Sequence, residues 1–301
     1  MDEYRALNLR QPPNLRKALR DCMRNTTALL GVGIGVPSAA STKVVAATAA
    51  DWAWIDAEHT PLSPTLMADL VQTISYHSEG RMLPIVRVPN HEHDWIAWAL
   101  DAGAAGVIIP HTETVEQARA AVRAARFAPL GERSFPPFVM LGGITDSAPE
   151  GQTWVDVANE HIAVIPQIES ALGLANLEAI MQVPGVDAIM IGKGDLRLSM
   201  GLPLTDSAGA ISLGSKSWTE PAWAAAQARI RALAQKYGMP LVGVSSDGNI
   251  PGMLRDGYRL LLGASDFNAL GQGITNSVGA SRRIVEDTRR SMGVAPSKAC
   301  L

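Results

Sequence analysis
A parallel (β/α)8 barrel of the TIM-barrel class is the fold this sequence predicts, and three observations predict it. Eight short apolar runs recur along the 301 residues without hydrophobic alternation. Strands of that kind are buried on both faces, as in a parallel sheet. Each run is followed by a stretch with helical periodicity, the rhythm of an α/β protein. The length suits one closed barrel, typically about 250 residues before insertions. A doubly wound open sheet is the structural alternative.

The elements follow in order. Residues 1–13 are polar, end in Pro12-Pro13 and are expected to form an arm; one barrel domain then spans 14–292, and 293–301 form a tail. Asn14 is suited to cap a helix over 14–24, with Leu15, Ala18, Leu19 and Cys22 on one face. The first strand is expected at 28–34, stopped by Gly35-Val36-Pro37, and Ser38 starts a second helix. Strands at 52–56, 82–87 and 106–109 alternate with helices at 63–76, 93–102 and 114–126. Residues 128–151, rich in Gly and Pro, break the rhythm. A stretch of that length is too long for an ordinary connector and is a candidate functional loop. A short helix at 153–159, a strand at 162–168, a helix at 170–181 and a strand at 186–191 follow. After a polar loop over 202–218 come a helix at 220–237, a strand at 241–244, a short helix around 252–254, a strand at 258–262 and a last helix at 266–290.

Composition excludes several classes. With 29 acidic and 26 basic residues the formal charge is −3, and no block of like charge stands out, which argues against nucleic acid or an anionic membrane as partner. Cys22 and Cys300 are the only cysteines and lie far apart, so a reducing, cytoplasmic setting is the expectation. The N-terminal segment lacks the apolar core of a signal peptide, and no apolar run approaches the ~18 residues of a membrane span.

In a barrel the chemistry sits at the C-terminal ends of the strands. The polar residues fall there: Asp56, Glu58 and His59 after the second strand, Arg87 after the third, His111 after the fourth and Gln167 and Glu169 after the fifth. Asp195 follows the sixth, Ser245, Ser246 and Asp247 the seventh, Ser265 and Asp266 the eighth. Glu169 and Asp195 each suit the first turn of a helix, where an acid meets the helix dipole. Together, side by side on neighbouring strands, they suit a hard cation, Mg2+ or Mn2+, because no His or Cys shares the same few residues. His59 reads either as a loop histidine or as a general base, since imidazole titrates near neutrality, and Asp101 could orient its other nitrogen. Arg87 is suited to a carboxylate or a developing enolate oxygen. His111 reads equally as a turn residue, Trp52, Trp54, Trp95 and Trp98 read as packing, and Gly131-Glu132-Arg133 as a turn.

Seven segments carry a resemblance, in order along residues 28–275: Trp54-Ile55-Asp56-Ala57-Glu58-His59, Arg87-Val88-Pro89, Leu100-Asp101-Ala102-Gly103-Ala104, Pro110-His111-Thr112-Glu113-Thr114, Pro129-Leu130-Gly131-Glu132-Arg133-Ser134, Gln167-Ile168-Glu169 and Ile191-Gly192-Lys193-Gly194-Asp195-Leu196. The chain resembles the HpcH/HpaI aldolases, the class II pyruvate aldolases of the phosphoenolpyruvate/pyruvate barrel superfamily. It looks most like the fungal macrophomate synthase-like branch, through Pro110-His111 and residues 165–170.

The resemblance implies a carbon–carbon lyase that cleaves a 4-hydroxy-2-keto acid to pyruvate and an aldehyde through a metal-bound pyruvate enolate. Oxaloacetate decarboxylation would share that enolate. Glu169 and Asp195 would bind the metal, with Mg2+ expected and Mn2+ or Co2+ as alternatives. The N–H groups of Gly194 and Asp195 would hold the substrate carboxylate, Gln167 would be a nearby polar contact, and Arg87 would stabilise the enolate oxygen. His59, paired with Asp101, would be the base, and Asp56 would support its loop. In the macrophomate synthase-like alternative the enolate adds to a 2-pyrone, and Arg87 and His111 also touch that second substrate. Trp154 stands where that branch has a substrate-contacting tyrosine, Lys193 where the family usually has proline, and Pro136-Pro137-Phe138 replaces smaller loop residues. A non-catalytic keto-acid-binding barrel is a third reading, supported only by Lys193 and Trp154. Family relatives exchange C-terminal helices within trimer-based hexamers. The stripe Ile274, Val278, Ile284 and Met292 suits such a homo-oligomer and equally suits a helix packed on its own barrel.

Overall fold
The computed structural model describes residues 13–138, 148–205, 209, 218–245 and 249–293. Eight strands pair in parallel, each with its neighbour in sequence, and β8 returns to β1 to close the barrel: β1 Leu29–Ile34, β2 Trp52–Asp56, β3 Leu83–Arg87, β4 Gly106–Ile109, β5 Ala163–Ile168, β6 Ile189–Ile191, β7 Leu241–Val244 and β8 Tyr258–Ser265. The open-sheet alternative is thereby ruled out. Runs such as Leu29–Ile34 and Ala163–Ile168 are almost wholly apolar because one face fills the barrel and the other meets helices.

The helices are α1 Leu15–Asn25, α2 Ala39–Ala46, α3 Pro64–His77, α4 His93–Asp101, α5 Val115–Ala125, α6 Trp154–His161, α7 Ala171–Met181, α8 Lys193–Ser199, α9 Pro221–Tyr237, α10 Ile250–Arg255 and α11 Asp266–Ser291. Local chemistry sets their starts. Asn14, Ser38, Ser63 and Ser170 accept backbone N–H groups of the first turns, and Thr114 and Thr153 form reciprocal capping boxes with Gln117 and Asp156.

Two apolar layers result. One lies between strands and outer helices. The other fills the barrel itself, with Trp52, Ile85, Ile108, Ile165, Met190, Val242 and Leu260, and joins Leu15 and Leu19 of α1. α1 therefore plugs the end of the barrel where the strands begin. A Cβ on Gly106 would stand 3.0 Å from a Leu15 methyl, so the glycine makes room for the plug. Trp52 fills the space beside Gly31 in the same way. Burying each leucine contributes about 1.5–3 kcal/mol. The opposite end, where the strands finish, stays open.

Two expectations are corrected. β6 is shorter than 186–191, because Gly185 turns at φ 94° and the Asp187 carboxylate is drawn into ion pairs with Arg16 and Arg126 before the strand begins. The segment after β6 is a short helix, α8, with Asp195 in its first turn as expected. α11 does not pack its stripe on its own barrel: Ile274 is 57% and Ile284 67% exposed, and Asp266 is the only buried residue of this helix. The candidate loop 128–151 is described in part, and its residues 139–147 lie outside the described residues, as does most of the 202–218 loop.

Candidate active site
A cavity of about 330 Å3 opens at the C-terminal ends of the strands. Its wall includes Trp54, His59, Arg87, Gln167, Gly194 and Asp195. These residues are remote in sequence, and the barrel brings them to one place by ending β2, β3, β5 and β6 on a common rim.

Arg87 is the hub. It ends β3 buried, and a buried guanidinium must be paired. Its Nε donates to Asp56 Oδ1 at 2.9 Å, a second nitrogen donates to the other Asp56 oxygen, and the group lies 4.6 Å over the Trp54 ring. The third nitrogen stands 2.9 Å from Glu58 Oε2 and 3.5 Å from Gln167 Oε1. Asp56 also accepts the N–H groups of Glu58 and His59, so it fixes the turn that carries both. Trp54, expected as packing, is thus part of the cavity wall and the platform under Arg87.

Glu169 ends β5 with its side chain 1% exposed. It accepts the Gln167 amide and, at 2.7 Å, the His111 N–H. His111 adopts φ 45°, a left-handed conformation that non-glycine residues hold only at a cost, and this aims its amide at the carboxylate. The imidazole lies 3.6 Å from Glu169 and 3.8 Å from Glu58. Ligand atoms of Glu58, His111 and Glu169 all fall within 4.8 Å of one another, a group able to hold a metal ion. Gly192 completes the enclosure. A Cβ there would stand 2.4 Å from a Glu169 oxygen.

The electrostatics suit a cation. Among the described residues no lysine or arginine reaches salt-bridge distance of Glu169 or Asp195. Burial pushes the Glu58 carboxyl above its ordinary pKa, Arg87 opposes that, and the nearby Glu169 charge adds to it. An all-oxygen pair beside one imidazole is a donor set for a hard divalent ion. The residues present therefore fit a divalent cation.

The structure places the expected residues as follows. Arg87, Asp56, Gln167, Glu169 and His111 are brought together. His59, Gly194 and Asp195 line the same cavity; Asp195 is exposed in the first turn of α8, and His59 is 66% exposed with Glu58 3.9 Å away. Asp101 is not joined to His59 within the chain; Arg133 donates to it at 2.6 Å. Arg133 is itself buried over Phe127, so 131–133 is more than a turn. Trp154 packs on Phe127, 5.6 Å between ring centres, and is not on the cavity wall. Ser245 lines the cavity, Ser246 and Asp247 lie outside the described residues, Ser265 caps α11, and Asp266 accepts the N–H groups of Gly35 and Val36. Sequence reasoning missed the part Glu58 plays. The signal was its place two residues after Asp56, at a strand end.

A barrel with acids and an arginine converging on its open end has the layout of an enzyme active site. The chain belongs to the HpcH/HpaI aldolase/citrate lyase family, whose model matches residues 34–270. It is 32% identical over 249 residues to the 2-dehydro-3,6-dideoxy-6-sulfogluconate aldolase of Pseudomonas putida, covering 81% of this chain and 89% of that protein. It is 35% identical over 195 residues to a 4-hydroxy-2-oxovalerate aldolase of Novosphingobium aromaticivorans, covering 64% and 70%. A crystal structure of macrophomate synthase superposes with a TM-score of 0.84 at 37% identity, covering 93% of each chain.

Proposed function
We propose that this chain is a divalent-cation-dependent carbon–carbon lyase that cleaves a 4-hydroxy-2-keto acid to pyruvate and an aldehyde. The observation that carries it is the Arg87 guanidinium on the wall of the barrel-mouth cavity, joined through Gln167 to the buried Glu169 carboxylate, which has no lysine or arginine partner among the described residues. Membership of an aldolase family supports the reaction type.

Glu169 and Asp195 would hold the cation, because neither has a protein cation of its own among the described residues, whereas Glu58 is paired with Arg87. When bound, it supplies a Lewis acid for the 2-keto oxygen. The remaining steps fall to the chain. The N–H groups of Gly194 and Asp195 hold the substrate carboxylate at the cavity wall. His59 accepts the proton of the 4-hydroxyl; the C3–C4 bond then breaks, its electrons pass to C3 and the keto group, and the aldehyde leaves. Arg87 stabilises the negative charge on the enolate oxygen, held in place by Asp56. The enolate takes a proton at C3, and pyruvate results. The same groups would serve oxaloacetate, with carbon dioxide leaving in place of the aldehyde. We propose that the chain acts as a homo-oligomer, because the apolar stripe of α11 has no cover in the described chain.

A second reading has a specific observation behind it. The likeness to macrophomate synthase spans 93% of both chains, and His111 stands beside Glu58 and Glu169, where it could meet an electrophilic partner such as a 2-pyrone.

The test is a pyruvate-release assay on a panel of 4-hydroxy-2-keto acids and oxaloacetate with Mg2+, Mn2+ and Co2+. Glu169→Gln and Asp195→Asn are expected to abolish release, and chelation to do so reversibly. Normal turnover of either variant after chelation would overturn the cation assignment; consumption of a 2-pyrone only with oxaloacetate present would select the second reading.

A further inference from the structure
Lys193 replaces the proline expected before the α8 acid, and the reaction above leaves its ammonium unused. The structure shows where it goes. A second cavity, about 260 Å3, lies on the barrel flank, enclosed by β6, β7 and β8 and the inner faces of α9 and α10. Lys193, Trp223, Gln227, Arg231, Asp256 and Tyr258 are on its wall. Lys193 lines both this cavity and the mouth. Its Nζ lies 5.6 Å from the centre of the Tyr258 ring, and Tyr258 is on the flank cavity and not on the mouth.

The charge there is unbalanced. Among the described residues no carboxylate comes within salt-bridge distance of Lys193, and Arg231 already engages Asp256 at 3.4 Å. An aromatic face offers a cation only part of what a counter-anion would. A cation without a salt-bridge partner therefore borders a cavity of mixed wall, in which Ile191, Ile230, Leu241 and Met253 stand among polar and charged residues.

We propose that the flank cavity binds a small organic monocarboxylate, anchored on the Lys193 ammonium and flanked by the Trp223 and Tyr258 rings. One unpaired positive charge calls for a single negative one, and Ile191, Ile230, Leu241 and Met253 offer a carbon skeleton a packing surface that an inorganic anion would not use. At roughly 30 Å3 per water-sized group, the volume suits an anion of about nine heavy atoms, the size of benzoate. The proposal does not depend on the reaction at the mouth.

The probe is 4-bromobenzoate, used with the full-length chain in crystals and by calorimetry. Bromine anomalous scattering is expected in the flank cavity, with the carboxylate on Lys193 Nζ. Gly252 is on the wall of this cavity and not of the mouth, and a Cβ there meets nothing within 4 Å, so Gly252→Leu is the variant chosen to obstruct it. That variant should keep its melting temperature and lose binding, and Lys193→Met should weaken binding about ten-fold or more. Bromine at the mouth alone, undiminished binding by Gly252→Leu, or equal displacement by inorganic phosphate at matched ionic strength would each overturn the proposal.

Discussion

Gly192 and Glu58 show how little of the mouth is spare. Gly192 has no side chain because the Glu169 carboxylate and the Gln167 amide occupy the space a Cβ would need, at 2.4 Å and 3.0 Å. Gly192→Ala should therefore displace Glu169 and lower cation affinity about ten-fold or more while the chain stays folded, since the strain is local. Titration calorimetry with Mn2+ checks this, and unchanged affinity would count against the close approach. Glu58 carries a pH signature. Its folded carboxyl sits above the ordinary value of 4.5, chiefly through burial. The folded chain thus holds that proton more tightly than the unfolded chain does. Stability from this group is fully present below about 4.5 and falls as pH rises through the raised value. In chelator, Glu58→Gln should flatten that part of the profile of melting temperature against pH; an unaltered slope would remove Glu58 as its source.

Among the elements, the joint between α1, α5 and β6 has a single centre. Asp187 receives Arg16 Nε at 2.7 Å, Arg126 at 3.0 Å and the Val164 N–H at 3.0 Å, and both Asp187 and Arg126 are nearly fully buried. Removing one partner of a buried pair leaves the other uncompensated, at a cost of about 3–5 kcal/mol. Asp187→Asn should destabilise the chain by that order in urea, with α1 released from the barrel floor first, as amide exchange at Leu15 and Leu19 would show. Sequence patterning placed nearly every element at this scale within a residue or two. Asn14, Ser63 and Thr114 mark helix starts by caps that act locally. It placed β6 poorly, because Asp187 answers to Arg16 and Arg126, which are 171 and 61 residues away.

At the scale of the whole molecule, α11 stands out. Its 26 residues leave the barrel, and Phe267, Leu270, Ile274, Val278 and Ile284 are all exposed. An apolar face of that length calls for a cover. Ile274→Glu with Val278→Glu should lower the mass measured by light scattering to that of a smaller assembly while the far-ultraviolet circular dichroism per residue changes little. The same mass for both proteins would remove this face as an interface. No described helix is long and apolar enough to cross a membrane.

The sequence by itself determined the barrel and the rim on which the polar groups gather. Apolar runs without alternation report two-sided burial, and the residue that ends each run is delivered to one face of the sheet, so Arg87, Gln167, Glu169 and Asp195 could be placed from pattern alone. Only the tertiary structure decided which of those groups pair. Arg87 is held by Asp56 and Glu58, Asp101 belongs to Arg133, and Glu58 with His111 surrounds Glu169. Pairing depends on distances between strand ends of a few ångströms, set by register and side-chain rotamer, and a linear pattern carries neither. The destination of Lys193 is of the same kind: its side chain could have turned to the mouth or to the flank, and the ring of Tyr258 marks the flank.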